Sequence, residues 1–585
     1  MREVSFDCRK PPTALSARGQ RRDFCPIIRL QKAAYGAFCP WAKGVTFAHS
    51  FDYVIVGAGT AGCVLANRLS EDPGCSVCLL EAGGADSHPF IHIPAAVGAA
   101  IATRSLNWRF LTTPQPNLNG RRIPIPRGHV IGGSGAINGM VYHRGFPTDF
   151  DDWARAGNSG WSHAEVLPYF LRSESNTFYP DSPWHRVGGP IDVIHIERPN
   201  PLNRAFLDGM ASLGRFRRCD DFNGPDPEGY GPRQGTISNG RRASTAAAYL
   251  RPARHRPNLR IMTGALVSKV VLENSRATGV DIELAGEARR VAARREVVVC
   301  AGSIQSPQVL MLSGIGDGEE LRRLGIEVKL NLPAVGANFH DHLAVGVLME
   351  TRNTESYGIS LRTLPRGAWN VLQYALYRGG PLASNVFESN AFVRSRDGLD
   401  RPDLQIVFQP ARRNRGTFPF PLGHGFAVNT VNLYPRSRGR VRLASADPHD
   451  HPLIDPNLLS APEDLAPLVR GLLLSRQILA APAFARYRAW ERAPGPEVQD
   501  EAALADYVRR TASTVHHPVG TCRMGVDANS VVDPQLRVRG IDGLRVVDAS
   551  AFPGIIGGNT NATVVMMAEK AADMMLGIPA LPPLN

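Results

Sequence analysis

Hydrophobic residues first fall into a regular pattern at residue 51. Residues 51–56 form a largely apolar run, FDYVIV, that is typical of a strand buried in a parallel sheet. Residues 60–69 have the spacing of a helix, and residues 76–80 form a second apolar run. The order strand, helix, strand predicts a βαβ unit, which is the building block of α/β folds.

Further strand patterns follow along the chain. Residues 258–269 predict a strand, a turn and a strand, and residues 296–302 predict another buried strand. Alternating apolar and polar positions then predict strands of an antiparallel sheet joined by long loops, at 404–409, 425–433 and 439–443. We therefore expect an α/β fold with a second lobe of α+β type built on an antiparallel sheet.

The turn after the first strand carries glycines in G-x-G-x-x-G spacing at Gly57, Gly59 and Gly62. The first allows a tight turn, the second a close approach to a pyrophosphate, and the third helix-to-strand packing. Glu81 ends the second strand, where an acid accepts hydrogen bonds from a ribose. These features predict an adenine-dinucleotide site, with an ordinary glycine-rich turn as the alternative. The predicted phosphate-binding residues are Gly57, Gly59, Thr60, Ala61 and Gly62.

Composition narrows the class of protein. A chain of 585 residues is too long for one core, so at least two lobes are expected. No apolar run is long enough for a transmembrane helix, and nine cysteines show no metal-binding spacing. Of the net charge of +13, +6 lies in the first 50 residues and the remaining +7 is spread over 535 residues, which argues against nucleic-acid binding. We expect a cytoplasmic protein, with peripheral membrane attachment as the alternative.

Residues 1–50 differ from the rest of the chain. They hold nine Lys or Arg against three Asp or Glu and show no clear period. We interpret them as a disordered or non-native extension. An organelle transit peptide is the alternative, whereas a twin-arginine signal at Arg21 and Arg22 lacks a good apolar segment after it.

A second glycine-rich segment, 127–145, reads RGHVIGGSGAINGMVYHRG and suits a loop passing close to a flat ligand. It resembles the first signature of the glucose-methanol-choline (GMC) flavin oxidoreductases, with His129 where the family usually has Lys or Arg. The resemblance implies that the dinucleotide is FAD. Ile137 stands where some members attach the flavin covalently through a histidine, so noncovalent FAD is expected. The loop residues expected near the flavin are Gly132, Gly133, Asn138, Gly139 and Met140.

The same resemblance extends through the chain and is closest to the choline-dehydrogenase-like bacterial group. Residues 302–316 match the family's second signature, and 513–525, STVHHPVGTCRMG, place His517 where the family has its catalytic histidine. Asn559 matches the partner of that histidine, with Asn561 as the competing assignment. The resemblance also implies Val267 against the adenine, Asp548 near the flavin chain, His516 lining the substrate pocket and Glu388 facing a cationic substrate.

These residue types suit oxidation of a primary alcohol. Neutral imidazole accepts the hydroxyl proton near neutral pH, Asn559 stabilises the oxygen, and flavin N5 receives the hydride. Oxidation could continue to the acid through the hydrated aldehyde. The alternatives are a hydroxynitrile lyase of the same family and a flavin-binding sensor or interaction protein. The alcohol, the oligomer and the electron acceptor (oxygen, quinone or a carrier protein) stay open.

The motifs also predict how the lobes are assembled. Residues 51–345 are expected to form the FAD-binding lobe, and 346–514 mainly the substrate-binding lobe. Residues 515–580 are expected to return to the FAD lobe with the catalytic pair.

Overall fold

The computed structural model describes residues 50–412, 422–488 and 490–584. The expectations for residues 1–49 lie outside the described residues. The main strands are β1 (Ser50–Val56), β2 (Val77–Glu81), β3 (Gly229–Pro232), β4 (Leu259–Thr263), β5 (Ala265–Glu273), β6 (Arg276–Leu284), β7 (Glu287–Val299), β8 (Leu343–Glu350), β9 (Ser389–Val393), β10 (Leu404–Gln409), β11 (Gly425–Asn432), β12 (Trp490–Ala493), β13 (Ser513–Thr514) and β14 (Leu544–Val546). The longer helices are α1 (Thr60–Leu69), α2 (Pro147–Arg155), α3 (His163–Ser173), α4 (Pro201–Ser212), α5 (Gly302–Leu312), α6 (Leu364–Tyr377), α7 (Leu465–Ala480), α8 (Glu501–Thr511) and α9 (Asn561–Leu576).

The first sheet has the order β4-β2-β1-β7-β6-β5, and β14 pairs with the end of β7. Strands β4, β2, β1, β7 and β14 run parallel, whereas β5 and β6 form an antiparallel extension. The inner strands are buried because their valines and isoleucines, such as Val54, Ile55 and Val298, are covered on both faces. The predicted βαβ unit of an α/β fold is therefore confirmed in β1, α1 and β2.

The second sheet has the order β12-β8-β11-β10-β9-β3, and β13 also pairs with β8. Its ladders are antiparallel, as the alternating pattern predicts. Two details differ from the sequence prediction. Strand β3 joins this sheet from an earlier part of the chain, and Arg440–Arg442 pairs with Leu453–Asp455 in a separate two-stranded sheet.

Helix starts and strand ends bring the residues of the sequence motifs to one region. Helix α1 follows β1, α5 follows β7, and α9 packs against α1. The segment between β13 and β14 carries His517. In this segment the backbone of Val519 pairs with that of His340, which lies just before β8. The carboxyl edge of the first sheet therefore faces residues contributed by the second sheet.

Candidate active site

A large cavity lies where these elements meet. Its volume is about 1240 Å³, and residues of both sheets line it. The first sheet and its helices contribute Gly57, Thr60 and Glu81, while the second sheet contributes Gln405 and Asn429. Most of the predicted site residues line this cavity, namely Gly57, Gly59, Thr60, Ala61, Glu81, Gly133, Asn138, Gly139, Met140, Val267, His516, His517, Asp548 and Asn559.

The first glycine turn is closed so tightly that side chains do not fit. Gly57 has φ +99°, and a Cβ there would lie 2.7 Å from the backbone oxygen of Cys300. A Cβ on Gly62 would lie 2.0 Å from the backbone oxygen of Gly57, so Gly62 supports the turn from behind and does not line the cavity. No side chain caps the start of α1 at Gly59, which leaves the first amides of the helix available to a phosphate.

Glu81 braces this turn from the end of β2. Its carboxylate accepts hydrogen bonds from the backbone nitrogens of Ala58 at 3.0 Å and Gly83 at 2.8 Å. Burial raises the pKa of Glu81 to about 7, against the lowering effect of these two hydrogen bonds. Each carboxylate oxygen can accept a second hydrogen bond, and Glu81 lines the cavity, so the residue retains capacity to accept from a ribose.

The second glycine-rich loop packs directly on the first. Gly132 donates its backbone N–H to the oxygen of Ala58 at 2.7 Å and lies behind the cavity wall. A Cβ on Gly133 would approach the Cα of Gly59 to 2.8 Å, so this contact between the two loops requires glycine at position 133. Asn138 then holds the loop end, because its side-chain oxygen accepts from the backbone N–H of Met140 at 2.9 Å.

Val267 and Asp548 occupy two other parts of the lining. Val267 is a mostly buried residue of β5. The carboxylate of Asp548 accepts from the backbone N–H of Gly302 at 2.8 Å and from the hydroxyl of Ser306 at 2.5 Å. It thereby fastens the start of α5 to the end of β14. The adenine and flavin-chain contacts of Val267 and Asp548 stay predictions.

His517 and Asn559 face each other in the cavity. His517 Nε2 lies 3.1 Å from Asn559 Nδ2. Asn561, the competing residue, begins α9 and accepts instead from the hydroxyl of Thr60 at 2.9 Å. The structure therefore brings Asn559 beside His517.

A second histidine, His342, fixes the protonation pattern of the His517 ring. His342 Nε2 lies 3.0 Å from the backbone oxygen of Leu433, which only accepts, so this nitrogen carries the proton. In a neutral ring His342 Nδ1 is then an acceptor, and it lies 3.0 Å from His517 Nδ1. His517 must therefore donate from Nδ1, which leaves a lone pair on Nε2 facing Asn559 and the cavity.

The environment keeps His517 in the neutral form. Removal from water lowers its pKa well below the usual 6.5, and the nearby His342, His516, Arg127 and Arg233 lower it further. Burial likewise lowers the pKa of His342 to about 4. The ring of His517 is thus an unprotonated base at neutral pH.

Arg233 fixes the other member of the pair. Its Nη2 donates to Asn559 Oδ1 at 2.9 Å, so the amide oxygen is turned away from His517 and the amide nitrogen towards it. Asp341 positions the backbone, because its carboxylate accepts from the N–H of His517 at 2.7 Å. Asp341 and His342 lie in the segment VGANFHDH (335–342), for which sequence reasoning favoured a structural role, and no sequence signal pointed to Arg233.

His516 and Glu388 have different outcomes. His516 lines the cavity with a left-handed backbone, φ +68°, held where Arg127 donates to its carbonyl at 2.6 Å. Glu388 is buried away from the cavity lining, and its carboxylate accepts from the backbone of Asn200, the amide of Asn203, and the hydroxyls of Tyr357 and Ser384. The expectation that Glu388 faces a cationic substrate is therefore corrected, because four donors of the protein itself occupy its carboxylate.

Comparisons with known proteins agree with this architecture. Family models described as GMC oxidoreductase match residues 51–344 and 435–568. The chain is 42% identical to an alcohol dehydrogenase [acceptor] of Pseudomonas putida, covering 90% of this chain and 96% of the relative. It is 44% identical to an oxygen-dependent choline dehydrogenase of Rhizobium etli, covering 90% and 95%.

Solved structures add two similar folds. Pyridoxine 4-oxidase from Mesorbium loti superposes with a TM-score of 0.81 at 34% identity, covering 89% of this chain and 98% of that one. A formate oxidase of Aspergillus oryzae gives 0.85 at 27% identity, covering 91% and 99%. The protein belongs to the GMC oxidoreductase family, whose members are FAD-dependent enzymes. The free amides of α1, Glu81 and the paired glycine loops fit such a dinucleotide.

Proposed function

We propose that the protein oxidises a primary alcohol to an aldehyde, with His517 as the general base and FAD as the hydride acceptor. The observation that carries this proposal is the unprotonated Nε2 of His517, set by His342 and facing Asn559 inside the cavity. The alcohol, choline and pyridoxine enzymes among the relatives support the reaction class.

Two side chains of the protein have separate roles: His517 accepts the proton, and Asn559 stabilises the oxygen. The alcohol hydroxyl donates its proton to His517 Nε2 as the C–H bond at the same carbon gives up a hydride. Asn559 Nδ2 donates to the oxygen, where negative charge develops, and cannot compete for the proton because it is not a base. FAD, when bound, supplies the acceptor for the hydride.

Cofactor attachment is proposed to be noncovalent. Ile137 lines the cavity in the loop that the resemblance places beside the flavin, and its hydrocarbon side chain has no atom that can bond to a flavin. A second oxidation, from the hydrated aldehyde to the acid, would use the same base, since the hydrate again presents a hydroxyl on the carbon that loses hydride.

Anaerobic flavin reduction tests the proposal. We expect a panel of primary alcohols to bleach the bound FAD of the wild-type enzyme, and reoxidation by oxygen or by a quinone to identify the acceptor. A flavin that no alcohol bleaches would contradict the proposal. Cleavage of a cyanohydrin without bleaching would instead identify a hydroxynitrile lyase.

A further inference from the structure

Arg233 is a buried cation without a carboxylate partner. It follows β3, its side chain lines the cavity, and only about 5% of the residue is exposed. Its Nη2 donates to the neutral amide of Asn559, and its Nε is buried with no acceptor. Desolvation lowers the pKa of Arg233 to about 9, and no carboxylate in the described ranges offsets that effect.

The acids around the cavity do not balance this charge. Glu81 and Asp548 line the cavity but are engaged by backbone amides at the glycine turn and at the start of α5. The backbone oxygen of Glu388 accepts from the backbone N–H of Arg233 at 2.9 Å, while the Glu388 carboxylate is occupied by other donors and not by the Arg233 guanidinium. Arg127 adds a second cation to the lining, and Asp341 beneath His517 offsets part of the Arg127 charge but not that of Arg233. The catalytic end of the cavity is therefore positive.

A buried charge is costly unless an opposite charge meets it. We propose that Arg233 binds a carboxylate of the substrate, so that the preferred substrates are short hydroxy acids rather than cationic alcohols such as choline. This inference rests on the proposed function, because it places the substrate hydroxyl at His517. One carboxamide separates the guanidinium from the His517 ring, a span of about 8 Å at most, which suits a short chain.

Three alcohols with the same two-carbon spacing test the charge directly. They are 3-hydroxypropanoate (anionic), 3,3-dimethylbutan-1-ol (neutral) and choline (cationic). We expect the second-order rate constant of anaerobic FAD reduction to fall in that order. The anionic and neutral substrates should differ on the order of 10- to 100-fold, the range of a charge-assisted hydrogen bond.

Arg233→Met separates recognition of the substrate carboxylate from the positioning of Asn559. Loss of the guanidinium also frees Asn559, so every substrate should be slowed, but the ratio of anionic to neutral rates should collapse towards one. Arg233→Lys should restore much of the ratio because it restores the charge. An unchanged ratio in Arg233→Met, or choline as the best substrate of the wild type, would overturn the inference.

A binding measurement needs no variant. Propanoate should compete with 3,3-dimethylbutan-1-ol in wild-type FAD reduction by raising the apparent KM and leaving the limiting rate unchanged. Absence of competition would contradict a carboxylate site at Arg233. Failure of the proposed function looks different, since no alcohol of any charge would then reduce the flavin.

A separate observation concerns the surface of α6. Three of its residues, Trp369, Leu372 and Leu376, follow one another along one side of the helix and are 60%, 47% and 62% exposed. The neighbouring face, with Leu364 and Val371, lines the cavity. An apolar face of α6 is thus open to solvent directly beside residues that line the cavity.

Charge around this face favours a particular occupant. Between residues 356 and 380 the chain has three arginines, Arg362, Arg366 and Arg378, all exposed, and no acid. Within the described part of the chain, no helix is long and apolar enough to span a membrane. Only Arg366 lies within α6, and Arg362 and Arg378 flank its two ends. An amphipathic helix with Trp and Leu on its apolar face and basic residues around it is typical of attachment in the plane of a bilayer surface.

The geometry points to α6 as the surface by which the protein docks on an anionic membrane. The full-length protein should sediment with vesicles of phosphatidylglycerol and phosphatidylcholine. Trp369→Glu with Leu372→Glu should reduce binding at least 10-fold while FAD content is kept. Leu473→Glu on α7, where the residue is 41% exposed, is the matched control and should bind as wild type.

Two outcomes would overturn this docking surface. One is equal sedimentation of the double variant and the control. The other is a wild-type dimer that ignores vesicles and dissociates on Trp369→Glu in light scattering, which would assign the face to a second copy of the chain. Replacing Arg362 and Arg366 by Gln should weaken binding about fivefold each and only to anionic vesicles.

Discussion

His342→Leu tests whether the ring behind His517 sets the catalytic tautomer. The substitution removes the acceptor of the His517 Nδ1 proton at 3.0 Å and leaves that donor without a partner inside the protein. An unsatisfied buried donor costs about 1–3 kcal/mol, which corresponds to about 5- to 150-fold in rate if the productive tautomer bears the full cost. We expect anaerobic flavin reduction at saturating alcohol to slow within this range.

The pH profile distinguishes this role from a purely structural one. In the wild type, desolvation and then His342 lower the pKa of His517, so reduction should persist as the pH falls through 6.5. Without His342 the pKa of His517 should rise, and the acidic limb should move to higher pH. His342→Gln should restore the rate, because a Gln oxygen can accept from Nδ1, but it should leave the acidic limb displaced, because Gln carries no charge that lowers the pKa of His517. Equal slowing in both variants with no movement of the limb would refute the tautomer argument.

Three further predictions follow from the cofactor loops and the catalytic pair. Gly62→Ala should abolish FAD binding or folding, since its Cβ would lie 2.0 Å from a backbone oxygen; a yellow, soluble variant would contradict this. Acid precipitation should release all FAD because Ile137 offers no attachment, and flavin retained in the pellet would show a covalent bond. Asn559→Ala should slow flavin reduction more than Asn561→Ala, because only Asn559 contacts His517; the reverse order in stopped flow would transfer the role to Asn561.

The sequence was sufficient for the parts of the fold that local patterns determine. The β1–α1–β2 unit follows from an apolar run, a glycine turn and a helix within 32 residues of chain, from Ser50 to Glu81. His517 was predicted from its own motif for the same reason. The residues that identify His517 lie next to it in the chain, in the segment 513–525.

Long-range partners could not be predicted in this way. His342 meets His517 across 175 residues, and Arg233 meets Asn559 across 326. Such contacts exist only after the two sheets pack, and a single sequence does not reveal which side chains then meet. The error at Glu388 has the same origin, because three of its four partners, Asn200, Asn203 and Tyr357, lie on other segments of the chain.

The central claim is that His517 is the base that starts alcohol oxidation, and stopped-flow flavin bleaching of His517→Ala tests it most directly. The variant should keep its FAD, because the glycine loops and Glu81 are untouched, and should be reduced at least about 100-fold more slowly than the wild type. His516→Ala is the matched control and should mainly alter substrate preference. Reduction of His517→Ala at the wild-type rate, or slow reduction of His516→Ala alone, would contradict the account.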